Sequence, residues 1–466
     1  MLRAIRGVFD GDMMHVAGHD NSVNMYTRFT AGGGSFIWDA TSTVPDDGGC
    51  TISPTGTGRW KRMITWFVTP EMFGAVGDAN WMDETTGIWY QDQALTIPAT
   101  DDSAAIQAAL NFAGISRYKC SAVLLSKWYL IGATLVKPDA VSIIGTGQVQ
   151  TGSRTGSALC ASHDAQYVSI RQSSNAWTNS VLFINNRVSL TGGGVLRDFS
   201  VLGCSTTFGS ANALTSWADR CGIQYHFGLN CPIFGVTIQG FKKAGLSFVA
   251  SQDIPVTALW LCYCGTDDGT NWYPSLEFLR DPTDDGGNGL IAGTNAIHFH
   301  GLRHEACFAY MNFDNSTTNL GEIHFVASKI ESPPGWLFNT TPFRVVSGFG
   351  PISFGSGVNI NFPTCMTSTN VQVWVFDIRN FSTKFVGCKW FGGSQGDIMN
   401  GGSNRPGEIK VEDTAVMYVW NPEIDPNSRG YAPFRVEGSG QMFITGTQLG
   451  PMDAYIAPGA TLSYIN

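Results

Sequence analysis

Short runs of alternating apolar and polar residues dominate the chain from about residue 121 onward. VSIIG (141–145), YVSI (167–170), VLFI (181–184), LRDFSVLG (196–203), VTIQGF (236–241) and ALWLCY (258–263) come first. AIHFHGL (296–302), EIHFVASKI (322–330), VWVFDIRNF (373–381), KFVGCKWFGG (384–393) and MFITGTQL (442–449) follow. Period-two alternation rich in β-branched and aromatic residues, broken by turn glycines, predicts β-strands. Their starts recur about 20 to 30 residues apart, or at multiples of that, which suits a solenoid coil of three short strands and turns. One stretch departs from this period. Ala105, Ile106, Ala109, Leu110 and Ala113 recur at helical spacing. Asp101 and Asp102 stand just ahead of them, carboxylates suited to accept the first helical N–H groups. One short amphipathic helix before a long run of strands predicts a cap on the open end of a β-structure.

The order FGAVGD (73–78), TDDSAAIQAAL (100–110), SAVLLSKWYLIGATL (121–135) and VSIIGTG (141–147) resembles the entry into a pectate-lyase-like right-handed β-helix. The likeness is to the version carried by bacteriophage tailspikes and capsule depolymerases. About twenty residues (79–99, with Trp81, Trp89 and Tyr90) separate Asp78 from Thr100, where that family has only a few. The expected fold is all-β: a single-stranded right-handed parallel β-helix with a short N-terminal capping helix and small β-rich terminal regions. Upstream, AGGGSFIWDATSTVPDDGGCTISPTGTGRWKRM (31–63) has hairpin punctuation at GGG, PDDGG and PTGTG. Gly32 to Trp38, Gly48, Gly49 and Gly58 to Arg62 resemble the small module that precedes the β-helix in phage tailspikes, which implies a particle-proximal role. The expected divisions are a neck module at 1–69, the β-helix entry at 70–147, a body carrying the glycan site at 148–405, and terminal coils or a cap at 406–466.

Composition agrees with a stacked β-solenoid: 55 of 466 residues are glycine, charged residues are only 14% and aromatics reach 12%. The net charge of −9 argues against nucleic acid, whose binders need clustered Lys and Arg, while leaving room for local basic patches that meet an acidic glycan. The 11 irregularly spaced cysteines read as buried thiols lining the coil. MLRAIRGVFDGD lacks an apolar signal-peptide core, and no run of eighteen apolar residues occurs. The expectation is therefore a protein made in the host cytoplasm, without membrane insertion, that acts at the bacterial surface as part of a virion tail.

Several motifs fail on inspection. His304-Glu305 opens like HExxH, but residue 308 is Phe. His298, His300 and His304 are expected to be stacked or substrate-facing rather than metal ligands, and CGTDDGT (264–270) and DPTDDGGNG (281–289) do not fit EF-hand spacing. Gly145-Thr-Gly147 opens no helix. No metal or cofactor is expected. Carboxylates remain. Glu305 and Glu331 stand 26 residues apart, about one coil, so they can occupy successive rungs. Asp253 lies 52 residues before Glu305 and Asp377 lies 46 after Glu331, spacings near two coils, and Glu277 is a further candidate. Glycoside cleavage needs one protonated carboxyl and one ionised partner, and two neighbouring carboxylates supply both. The bland alternative is a solvated or Arg-paired Glu on a solenoid face, with Arg303, Lys329, Arg344 and Arg379 nearby in sequence.

Sugar rings would stack on aromatics. Trp217, Tyr225, Trp260, Trp272, Tyr273, Trp336, Trp374 and Trp390 are the candidates, with NWYPS (271–275) as the expected exposed platform. Arg303, His304, Trp272, Tyr273, Trp336 and Arg379 complete the expected substrate-binding set. The resemblance implies a homotrimer that binds a capsular or O-antigen polysaccharide and joins a phage baseplate or tail adaptor through its N-terminal module. Endo-hydrolysis by Glu305 and Glu331 is the leading expectation. A lyase using His304 beside Arg303, and a non-catalytic glycan-binding adhesin, are the competing ones.

Overall fold

In the computed structural model most apolar members of the described alternating runs turn inward, and the strands sort into three long parallel sheets. The structure describes residues 2–18, 32–64, 66–115, 121–148, 155–162, 180–185, 193–203, 218–267, 272–281, 293–307, 311–319, 323–331, 343–349, 351–355, 358–361, 376–379, 382–386, 389–391, 409–412, 416–420, 423–424, 434–436, 439–445 and 454–465. Among the described residues the sheets hold 11, 13 and 10 strands, and neighbours within a sheet come from successive turns of the chain. This is a parallel β-helix. Strands as late as Ile409–Glu412, Val416–Trp420, Phe434–Val436 and Thr461–Ile465 continue the same sheets.

Like residues stack on like inside the coil. Phe248, Phe278 and Phe313 occupy one register column, with ring centroids 5.6 and 4.8 Å apart and planes within 11°. Phe299, Phe325 and Phe354 form a second column at 4.8 and 5.0 Å. All are essentially excluded from solvent, and each such side chain contributes about 1.5–3 kcal/mol of burial. The seven described cysteines are buried. No described helix is long and apolar enough to cross a membrane.

The expected cap is the helix Ser103–Ala113, which buries Ile106, Ala109, Leu110, Phe112 and Ala113 on the first coils. The two aspartates before it divide the work. Asp101 accepts hydrogen bonds from the backbone N–H groups of Ser103 (3.0 Å) and Gly132 (3.1 Å), tying the helix start to the first coil. Asp102 turns away from the helix and accepts from the N–H groups of Val76 (2.7 Å) and Gly77 (3.0 Å), which pins the FGAVGD turn. Burial pushes its carboxyl up to about 6, against those two bonds. Asp78 closes the other side of the turn by accepting from Thr100 N–H (2.8 Å) and Oγ1 (2.9 Å).

Residues 32–62 build a small antiparallel sheet with Met13–Gly18, around buried Phe36, Trp38, Ile52 and Trp60. Arg62 spans its edge, donating to the carbonyls of Gly32, Gly33 and Gly49 with its guanidinium 4.5 Å from the Phe36 ring centre. Gly32, at φ +69°, lies so close to the Glu71 carbonyl that no side chain fits there. Glu71 is itself buried and accepts from the Tyr129 hydroxyl at 2.6 Å. The module therefore leans directly on the start of the β-helix. The strand Phe67–Val68 already pairs with Ala122–Leu124, so the first coil begins within the 1–69 stretch.

Candidate functional site

The outer face of the ten-stranded sheet carries the candidate site. In each short strand the middle residue points into the coil and its neighbours point out. Leu261, His304 and Ile330 are thus fully buried, while Trp260, Arg303 and Lys329 form one outer column and Cys262, Glu305 and Glu331 the next. Glu305 and Glu331 are register partners on adjacent strands, as their spacing predicts. The side chain of Glu331 lies outside the described residues.

Glu305 is held on several sides. Arg303 donates from Nη2 to both carboxylate oxygens at 3.1 Å and from Nε at 3.3 Å. Lys329 Nζ lies 3.4 Å from Oε1, and Trp260 Nε1 donates to Oε2 at 3.0 Å. The Arg303 guanidinium also sits 4.6 Å over the Trp260 ring, a cation–π contact. Side-chain exposure falls from 55% at Arg303 and 49% at Lys329 to 14% at Glu305, so the carboxylate is recessed beneath two solvent-facing cations. Such a group is oriented before any ligand arrives. A carboxylate so placed can act as a fixed acceptor toward a ligand.

Earlier rungs of this face are closed. The inserted segment forms a hairpin, Trp81–Met82 with Trp89–Tyr90, that lies over Trp128, Ala158, Cys160 and Leu202. Trp89 meets Trp128 edge-on at 6.2 Å, and its Nε1 donates to the Ala161 carbonyl at 2.9 Å. Cys160 is therefore buried on the outside of the sheet rather than inside the coil.

The remaining candidates scatter. His304 is 0% exposed and hydrogen-bonded to Ser275 Oγ at 2.6 Å inside the coil. As the middle residue of its strand it faces the core, which removes it from contact with a surface glycan. Asp253 stands on the thirteen-stranded sheet, exposed, while Glu277 and Asp377 stand on the eleven-stranded sheet. Glu277 is fully buried and accepts from Ser247 Oγ at 2.8 Å. Along that column Asn312 and Arg344 intervene between Glu277 and Asp377. None of these three joins Glu305. Tyr273 belongs to a small hairpin, Thr266–Asp267 with Trp272–Tyr273. Its ring is covered by Lys243 Nζ at 3.7 Å and packs against Cys221 and Ala244, so it is no open platform. Trp336, and the side chains of Trp272, Asp377 and Arg379, lie outside the described residues. The part that Trp260 plays had a sequence signal, an aromatic at an outer position of a strand, but its pairing with Glu305 depends on a coil length that the sequence does not display.

Comparison with known proteins adds lineage. Residues 1–65 match the family described as phage tail protein small four-stranded beta-sheet domain. Over 121 residues the chain is 34% identical to the Mu-like prophage FluMu defective tail fiber protein of Haemophilus influenzae, covering 24% of this chain but only 18% of that protein. The tailspike gp42 of Acinetobacter phage vb_AbaP_AS12 superposes over 100% of this chain and 73% of its own, with TM-score 0.56 and 14% identity. The enzymatically active domain of bacteriophage CBA120 tailspike protein 4 matches over 98% of this chain and 53% of its own, with TM-score 0.50 and 14% identity. The chain is thus a virion tail protein in which a phage tail β-sheet domain leads into a parallel β-helix with the fold of tailspikes.

Proposed function

We propose that this chain is a tailspike that binds a bacterial surface polysaccharide, capsule or O-antigen, and cleaves it by endo-hydrolysis, with Glu305 and Glu331 as the carboxyl pair. The observation that carries the reading is their register across adjacent strands beside Trp260. Backbones there are about 4.8 Å apart, close to the roughly 5–5.5 Å carboxyl separation of retaining glycosidases. Glu305, gripped by Arg303, Lys329 and Trp260, suits the ionised nucleophile or base. Glu331 takes the acid role, protonating the leaving oxygen and then recovering its proton from water. Burial of His304 in the core favours this over elimination, since the base that elimination would use faces away from solvent. In this reading the chain works as a homotrimer at the cell surface, and the match of residues 1–65 to a phage tail family supports joining the tail through that module.

A panel of purified capsules and O-antigens, incubated with the protein, provides the test. The expected result is new reducing ends without ultraviolet absorbance from a 4,5-unsaturated uronate, lost on Glu305→Gln or Glu331→Gln. Unsaturated product would replace hydrolysis by elimination. Binding without new ends would make the chain an adhesin, and full activity in both variants would sink the site.

A further inference from the structure

Three histidines stand just ahead of the Glu305 strand and its successor in the chain. His298 and His300 are exposed on the outer face of the thirteen-stranded sheet, two residues apart on the strand Asn295–His300. His324, one rung on, stacks against His298 with ring centroids 4.9 Å apart and planes 23° from parallel. The Ser353 hydroxyl, on the following rung, hydrogen-bonds the His324 ring and fixes its orientation. After His300 the chain turns at Gly301, φ +72°, and only Leu302 intervenes before Arg303 opens the next sheet. Val326 and Lys329 repeat the same corner one rung later.

We infer that this corner, His298, His300 and His324 on one sheet and Arg303 and Lys329 on the next, is a subsite for a carboxylate-bearing sugar of the polysaccharide. The inference rests on the proposed glycan-cleaving function and names its substrate class as acidic. Three arguments support it. Exposed His300 offers an N–H in either tautomer, and Arg303 spends Nε and Nη2 on Glu305 while Nη1 remains for a ligand. Arg303 covers a face of Trp260, so recognition at this point passes to hydrogen bonds and charge rather than ring stacking. The chain as a whole carries −9, so a polyanion is repelled by most of its surface. On the strands of this corner the carboxylates are Asp253, Glu305 and Glu331, and Glu305 is already matched by two cations. A polymer lying across the corner meets the imidazoles first and then Arg303 and Lys329, which brings the next linkage over Glu305.

The test offers each acidic capsule that the intact protein recognises in two forms, native and with its carboxyls chemically reduced to alcohols. Binding to immobilised polymer and release of reducing ends are read in the same samples. The expected result is binding at least about tenfold weaker for the reduced polymer. That margin should shrink severalfold in the His298→Gln/His300→Gln double variant, whose surface positions leave folding intact by thermal melting. Equal binding of the two forms, or an undiminished margin in the double variant, overturns the acidic subsite alone. Failure to bind any surface polysaccharide, neutral or acidic, overturns the proposed function with it.

Discussion

One outer sheet face runs the length of the β-helix, yet its two halves are chemically opposite. From Trp128 to Leu202 it is apolar and roofed by the Trp89 hairpin. From Trp260 to Lys329 it is polar, recessed and open, with Glu305 at its centre. Backbone register is continuous across both, so the ladder alone does not set the contrast. The inserted loop and the choice of outward residues do. The closed half spends its side chains on stability, and the open half holds a recessed carboxylate between two solvent-facing cations.

The sharpest way to break this contrast is Glu305→Gln. Depolymerase turnover should fall by about 10²–10⁴-fold while the melting temperature barely moves; unchanged turnover would erase the functional half of the comparison. Trp89→Ala probes the other half. Loss of the Trp128 contact and of the bond to Ala161 should cost about 3–5 kcal/mol in chemical unfolding, with activity per folded molecule preserved. A change under 1 kcal/mol would mean that the roof is ornamental.

Asp102, beneath the cap, gives a pH signature. Its folded carboxyl is raised to about 6, against about 3.9 in an unfolded chain. The folded state therefore holds the proton more tightly, and this contribution is fully present below the unfolded value and lost as pH rises through about 6. Wild type measured against Asp102→Asn should lose about 1–3 kcal/mol of relative stability between pH 4 and 7; a flat difference would show the carboxyl to be ordinary. Smallest of all, Lys329→Ala should change stability by under about 0.5 kcal/mol, because its ammonium is half exposed. A larger loss in the unfolding curve would mark the open half as structural too.

Much of this could be read from residues alone. The helical spacing of Ala105 to Ala113 and the alternation of the later strands fixed the cap and the coil. The 26-residue interval placed Glu305 beside Glu331 because that coil is short. The same arithmetic failed for Asp253. Coils are not equal: Gln239 to Cys262 takes 23 residues, but Cys262 to Glu305 takes 43. Loops of variable length are excluded from the ladder and so leave no periodic trace. The burial of His304 is hidden from the sequence for a simpler reason. In a three-residue strand the middle side chain faces the core, and a polar residue there looks like a surface residue until the register is known.

The columns of stacked phenylalanines, Phe248–Phe278–Phe313 and Phe299–Phe325–Phe354, make the body a one-dimensional crystal. In such an array the free energy is a sum of rung terms and nearest-neighbour couplings. A fault at Phe278 would therefore act as a cut: the rungs between it and the distal end would melt as a separate unit, while those locked to the helix Ser103–Ala113 and its aspartate ties would hold. The cap end is the anchor of the array, and cooperativity is passed down from it rung by rung.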